Sequence, residues 1–145
     1  MEIIKEVARL DRKAPPSQQA AISPAAVLEA FRGELLDPDT CRDWLLRRLH
    51  PSGPVCPHCA CPAVSRRKWQ AFYAGSRIQC SKCTRFYKAT TGTILESAKL
   101  SPAQIVLLAL CLALDAPMPN TIAAVDATQN TVRLWRDRLE EASHA

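Results

Sequence analysis

The sequence predicts a small α+β protein, with short β-hairpins held between helices on either side. Three observations predict it. Four of the seven cysteines stand as two Cys-x-x-Cys pairs twenty residues apart, Cys56/Cys59 and Cys80/Cys83. The stretch around them has short strand-like runs and turn residues but few helix signals. Both flanks carry apolar residues at helical spacing behind Ser-Pro or Asp-Pro starts. At 145 residues the chain has room for one domain or two small ones.

Residues 1–22 read as a short charged helix followed by a Pro- and Gln-rich linker, a flexible N-terminal segment. Residues 23–50 are helical. Ser23-Pro24 starts one helix, with Val27, Leu28, Phe31 and Leu35 on its apolar face and Gly33 weakening it. Asp37-Pro38 starts another, with Cys41, Trp44, Leu45 and Leu49 on one face. His50-Pro51-Ser52-Gly53-Pro54 ends it.

Residues 51–98 form the hairpin module. Trp69–Tyr73, Arg77–Gln79 and Phe86–Ala89 read as its strands, and Thr90–Thr93 as a turn. In residues 99–145, Ser101-Pro102 opens the most apolar helix of the chain. Ile105, Leu108 and Leu112 line one face, and Val106, Leu107, Leu110 and Ala113 widen it almost all round, which calls for the centre of a bundle. Asn120 can cap a short helix through Val125, and Thr128 a last helix over 129–142 with Val132, Trp135 and Leu139 inward. Two short helices joined by a tight turn make a helix-turn-helix.

The cysteine spacing C-x2-C-x20-C-x2-C is that of a structural zinc site. Two thiolates at i and i+3 on a tight knuckle face one point, and two knuckles complete a tetrahedron. All four positions are then protein sulfurs, which leaves no place for a catalytic water. A thioredoxin-like redox pair would need a βαβ surround, and none is present. His58 and Cys61 stand close enough to compete for the ion. Cys41 and Cys111 fall on apolar helix faces and read as core.

Charge is uneven. The chain carries a net +5, yet from Trp44 to Leu95 there is no Asp or Glu. That stretch holds Arg47, Arg48, Arg66, Arg67, Lys68, Arg77, Lys82, Arg85 and Lys88. Allowing for the −2 of four thiolates with one Zn²⁺ leaves about +7. A basic module without acidic relief suits a nucleic-acid surface; the bland alternative is a solvated face. No run of eighteen apolar residues suggests a membrane span, and the charged N-terminus lacks the apolar core of a signal peptide. A cytoplasmic location is the expectation, and reduced thiols there favour metal over disulfide.

The segments DWLLRRLHPSGPVCPHC (43–59) and RIQCSKCTRFYKATTGTILESAKLS (77–101) resemble the N-terminal zinc-ribbon region of insertion-sequence 1595-type transposases. The shared pattern is a Pro-x-Gly turn, a Cys-Pro-x-Cys knuckle, a second Cys-x-x-Cys, an aromatic, Thr-Gly-Thr and a Ser-x-Leu segment opening a helix. Here these are Pro51-Ser52-Gly53, Cys56–Cys59, Cys80–Cys83, Phe86, Thr91-Gly92-Thr93 and Ser97–Leu100. The resemblance covers roughly residues 37–142. It implies a zinc ribbon flanked by N-terminal helices and a C-terminal three-helix helix-turn-helix unit. Where the family has Gly after the first knuckle, this chain has Ala60, at a position that favours positive φ. The family's catalytic domain with its acidic metal ligands does not follow before Ala145. Asp115, Asp126 and Asp137 read as capping and surface residues, so no catalysis is expected.

Residues 120–139, NTIAAVDATQNTVRLWRDRL, also resemble the helix-turn-helix of homeodomain-like transposases and regulators. Ala123 would sit where the two helices cross. Asp126 stands at a turn that usually carries Gly. The recognition helix would begin at Thr128 and offer Gln129, Asn130, Thr131, Arg133 and Arg136 to bases, while Arg138 and the ribbon's Arg66, Arg67, Lys68, Arg77, Lys82, Arg85 and Lys88 would meet phosphates. Trp69, Phe72 and Tyr73 either stack on bases or fill the ribbon's core.

The expectation is a non-catalytic, transposase-derived binder of double-stranded DNA, recognising element ends or regulating transcription. The alternatives are a zinc-ribbon module that binds a protein partner or a second copy of itself, and a decayed transposase remnant.

Overall fold

Ser23 fixes the start of the first helix: its hydroxyl accepts the Ala26 N–H at 3.4 Å, with Pro24 in the first turn. The computed structural model describes residues 21–143. The charged helix expected near the N-terminus therefore lies outside the described residues. Helix α1, Pro24–Ala30, is shorter than its apolar spacing suggests. It stops before Gly33, which loses more backbone freedom in a helix than any other residue. Gly33–Leu36 follow as a 3-10 turn that buries Leu35, while Leu28 is left 41% exposed.

Helix α2, Pro38–Leu49, starts as expected. The Asp37 carboxylate accepts both the Thr40 N–H at 2.9 Å and its hydroxyl at 2.8 Å. It buries Cys41, Leu45, Leu46 and Leu49, with Trp44 half-buried.

The strand expected at Trp69–Tyr73 is instead part of helix α3, Arg66–Tyr73. Trp69, Phe72 and Tyr73 fall at i, i+3 and i+4, which is helical as well as strand-compatible, and the run holds no β-branched residue to favour extension. Phe72 and Tyr73 turn inward. Gly75, at φ +82°, closes the helix: its N–H donates to Phe72 O and that of Ser76 to Ala71 O.

One short hairpin remains as sheet. Strands β1, Ile78–Gln79, and β2, Phe86–Tyr87, pair antiparallel, Ile78 opposite Tyr87 and Gln79 opposite Phe86. An isolated bridge joins Val55 to Pro62.

Helix α4, Pro102–Ala113, opens with a reciprocal cap. Ser101 Oγ accepts the Gln104 N–H at 3.2 Å and Gln104 Oε1 accepts the Ser101 N–H at 2.9 Å. It packs against α1 and α2 and against the two helices that follow. Burial is not all round: Leu107 and Leu114 are 37% and 68% exposed, and Cys111 is half-buried rather than core. Helix α5, Met118–Val125, begins earlier than the Asn120 cap would give. Pro117 takes the cap position and Pro119 the first turn, a place suited to a residue without an N–H. Asp126 ends it at φ 57°, ψ 52°, the left-handed conformation expected there. Helix α6, Gln129–Ser143, starts with Thr128 Oγ1 accepting the Thr131 N–H at 3.3 Å, and it buries Val132, Trp135 and Leu139.

A single apolar cluster runs from Ile22 to Leu139 and includes Cys56 and Cys80. The cysteine module is therefore seated on the helices' core. Among the described residues, no helix is long and apolar enough to cross a membrane.

Candidate metal centre

The two Cys-x-x-Cys segments have one local geometry. In the first, Ala60 N–H donates to Cys56 O at 2.8 Å and Cys56 N–H to Cys61 O at 3.0 Å. In the second, Thr84 N–H donates to Cys80 O at 3.0 Å and Cys80 N–H to Arg85 O at 2.9 Å. The residue past each pair, Ala60 and Thr84, is left-handed. In each knuckle the second amide past the leading cysteine points at its sulfur. His58 N and Lys82 N lie 3.4 Å from Cys56 Sγ and Cys80 Sγ.

These knuckles bring the four sulfurs together. All lie within 4.8 Å of one another, with Cys56–Cys83 at 3.6 Å and Cys59–Cys80 at 3.5 Å. A tetrahedron with metal–sulfur bonds of about 2.3 Å has edges of about 3.8 Å, so the group has the size to hold one metal ion. The surroundings of Cys80, Cys56 and Cys59 act on their thiols differently. The backbone N–H groups of Cys83 and Lys82 hold Cys80 down at about 6. Burial pushes Cys56 up. Cys59 is pulled down by the Cys61 backbone but pushed up to about 12 overall, by burial and the thiols of Cys80, Cys83 and Cys56. Four thiolates this close resist forming together unless a cation joins them.

His58 and Cys61 stand outside the four-sulfur group. His58 is exposed, and Cys61 Sγ contacts Pro62 O at 3.6 Å.

Contacts that sequence reasoning missed fasten the module to the helices. His50 Nε2 meets Ala89 O at 2.5 Å, its ring stands edge-on to Phe72 at 4.9 Å, and its own carbonyl accepts the Tyr73 hydroxyl at 2.5 Å. Burial lowers the His50 pKa, while the Ala89 carbonyl acts in the opposite direction. Trp69 donates its indole N–H to Ala63 O at 2.6 Å and covers Gly53. With Phe72 and Tyr73 buried and Trp69 so held, these three rings serve packing, which leaves them poorly placed to stack on bases. The Thr-Gly-Thr segment forms a loop on the first knuckle. Thr93 Oγ1 donates to Thr90 O at 2.7 Å, and Gly92 sits by Pro57.

The basic residues divide into two groups. Lys68 donates to Gln79 O at 2.9 Å, and Arg77 lies over the Phe86 ring at 4.4 Å. Arg47 is paired with Asp43 at 2.9 Å and lies over Tyr73 at 4.3 Å; Arg48 donates to Ala21 O at 2.8 Å. Arg66, Arg67, Lys82, Arg85 and Lys88 are exposed, with no side-chain partner among the described residues.

On α6, Gln129, Asn130 and Arg133 are exposed and unpartnered among the described residues. Thr131 is half-buried with its hydroxyl 2.9 Å from that of Thr128, so it serves the cap. Arg136 is half-buried, 3.9 Å from Asp137, and lines a shallow groove with Leu112, Met118, Thr121 and Val132. Arg138 lies over Trp135 at 5.0 Å. Ala123 is exposed, so it does not lie at the helix crossing; Thr121 and Val125 are the buried residues of α5. Asp115 and Asp126 are left-handed caps, and Asp137 lies on the surface of α6.

Set against models of known protein families, curated proteins and solved structures, the chain matches none.

Proposed function

We propose that this chain is a zinc-stabilised, non-catalytic DNA-binding module of the transposase-derived kind. The observation that carries the reading is the set of five exposed, unpartnered cations, Arg66, Arg67, Lys82, Arg85 and Lys88, in an acid-free stretch of sequence that also carries the four-sulfur group. Solvated stretches mix both signs; an acid-free run of exposed cations suits a polyanion. Zinc fits the donor set, since a closed tetrahedron of four thiolates is the usual structural site for this borderline-soft ion. In this reading α5 and α6 act as a helix-turn-helix. Gln129, Asn130 and Arg133 read base edges, with Arg136 beside them, and the ribbon cations grip phosphates.

The test is the salt dependence of duplex binding. Counterion release by these five cations predicts a slope of log K against log salt of about −4.5. A flat dependence would remove the reading.

A second reading, an interaction module, draws on the charge-free run Leu100–Leu114, whose Leu107 and Leu114 are exposed. It predicts partner binding that salt barely weakens.

A further inference from the structure

We infer that the outer face of the β1–β2 hairpin is a platform for single-stranded DNA, with Phe86 as its stacking surface. The inference rests on the reading of this chain as a DNA-binding protein and adds a contact separable from α6. Pairing sets Gln79 opposite Phe86 and Ile78 opposite Tyr87. Ile78 and Tyr87 are buried, so strand alternation turns Arg77, Gln79, Phe86 and Lys88 outward, and all four are exposed.

Phe86 is 51% exposed, the most exposed aromatic ring among the described residues. The Arg77 guanidinium lies over the ring at 4.4 Å. The loop beneath is held in shape. Gln79 Nε2 donates to Thr84 O at 2.9 Å and Lys68 donates to Gln79 O at 2.9 Å. Along this hairpin Lys82, Arg85 and Lys88 are free to meet phosphates, and no acid lies nearby in sequence to repel them.

A half-exposed ring under one guanidinium, on a hairpin that carries three exposed cations, fits a strand whose bases expose their faces and whose backbone is anionic. A duplex hides its base faces in the stack, so it cannot use the ring this way. A protein partner of the apolar kind would meet the Arg77 guanidinium over the ring, with the exposed Arg85 and Lys88 flanking Phe86 in sequence. The occupant that matches both features is an unpaired nucleotide run.

The test uses the full metal-loaded chain and fluorescence anisotropy with a labelled oligothymidylate of about twelve nucleotides, beside a labelled duplex. Wild type binds the single strand. Phe86→Ala weakens that binding about ten-fold, Phe86→Tyr retains it, and neither changes duplex affinity beyond about two-fold. Arg133→Ala gives the reverse pattern. Metal content and melting temperature matching wild type show that Phe86→Ala is folded. Three results would each overturn the platform: no single-strand binding by wild type, Phe86→Ala binding as wild type does, or equal losses on single strand and duplex. Loss of the duplex arm alone would instead remove the helix-turn-helix reading and leave the platform standing.

Discussion

Ala60 and Thr84 hold the same backbone position, one residue past each Cys-x-x-Cys, with φ of 62° and 65°. Their amides close the two knuckles onto the Cys56 and Cys80 carbonyls. A side-chain-bearing residue is strained there by about 1–2 kcal/mol.

Ala60→Gly should therefore stabilise the metal-loaded protein, by roughly 0.5–1 kcal/mol after allowing for glycine's greater unfolded-state freedom. Urea unfolding measures it, and a loss of stability would contradict the strain. Thr84→Gly gains less, since the Thr84 hydroxyl donates to Cys83 O at 2.6 Å.

Gly53 should behave oppositely. It sits at φ +100°, and an added Cβ would come within 2.5 Å of the Trp69 ring. Gly53→Ala should cost about 2–4 kcal/mol, from backbone strain and a displaced indole. Tryptophan fluorescence should report a changed Trp69 environment. A variant as stable as wild type would show that the indole yields freely.

Metal content separates the five clustered cysteines. Cys59→Ser should lose the tightly held ion and lower the melting temperature, whereas Cys61→Ser should keep one ion per chain. Equal loss in both variants would place Cys61 among the ligands.

His50 carries a pH dependence. Its folded pKa lies below the ordinary value of 6.5 because the ring is buried. The neutral ring's contribution is thus full above about 6.5. It is lost as pH falls from there towards the folded pKa, where the unfolded chain binds more protons. The stability advantage of wild type over His50→Gln should shrink between about pH 7.5 and pH 5.5. An advantage that stays constant would mean that the ring titrates alike in both states.

The cysteine knuckles were legible because ligand spacing is local: Cys-x-x-Cys constrains its own turn, and two turns need only meet. Ser23, Asp37 and Ser101 were equally legible as caps, since each signal and the amide it satisfies lie three residues apart. The Arg66–Tyr73 helix was not. Three aromatics in eight residues fit either period, and only the burial of Phe72 and Tyr73 against the helices decides it. Ala123 was misplaced because a short helix tolerates either of two rotations, and packing chose Thr121 and Val125. The roles of His50 and Phe86 depend on partners 39 residues away and across a hairpin, which no local pattern encodes.

The proposed function turns on sequence-specific duplex recognition through α6. The most direct test is selection by metal-loaded protein from a random duplex pool near about 0.15 M salt, where nonspecific phosphate binding is weakened. An enriched motif is the expected outcome. Arg133→Ala should further relax preference at one base pair at a cost of about 1–3 kcal/mol. A bound pool indistinguishable from the input would contradict such recognition and leave α5 and α6 as part of the core alone.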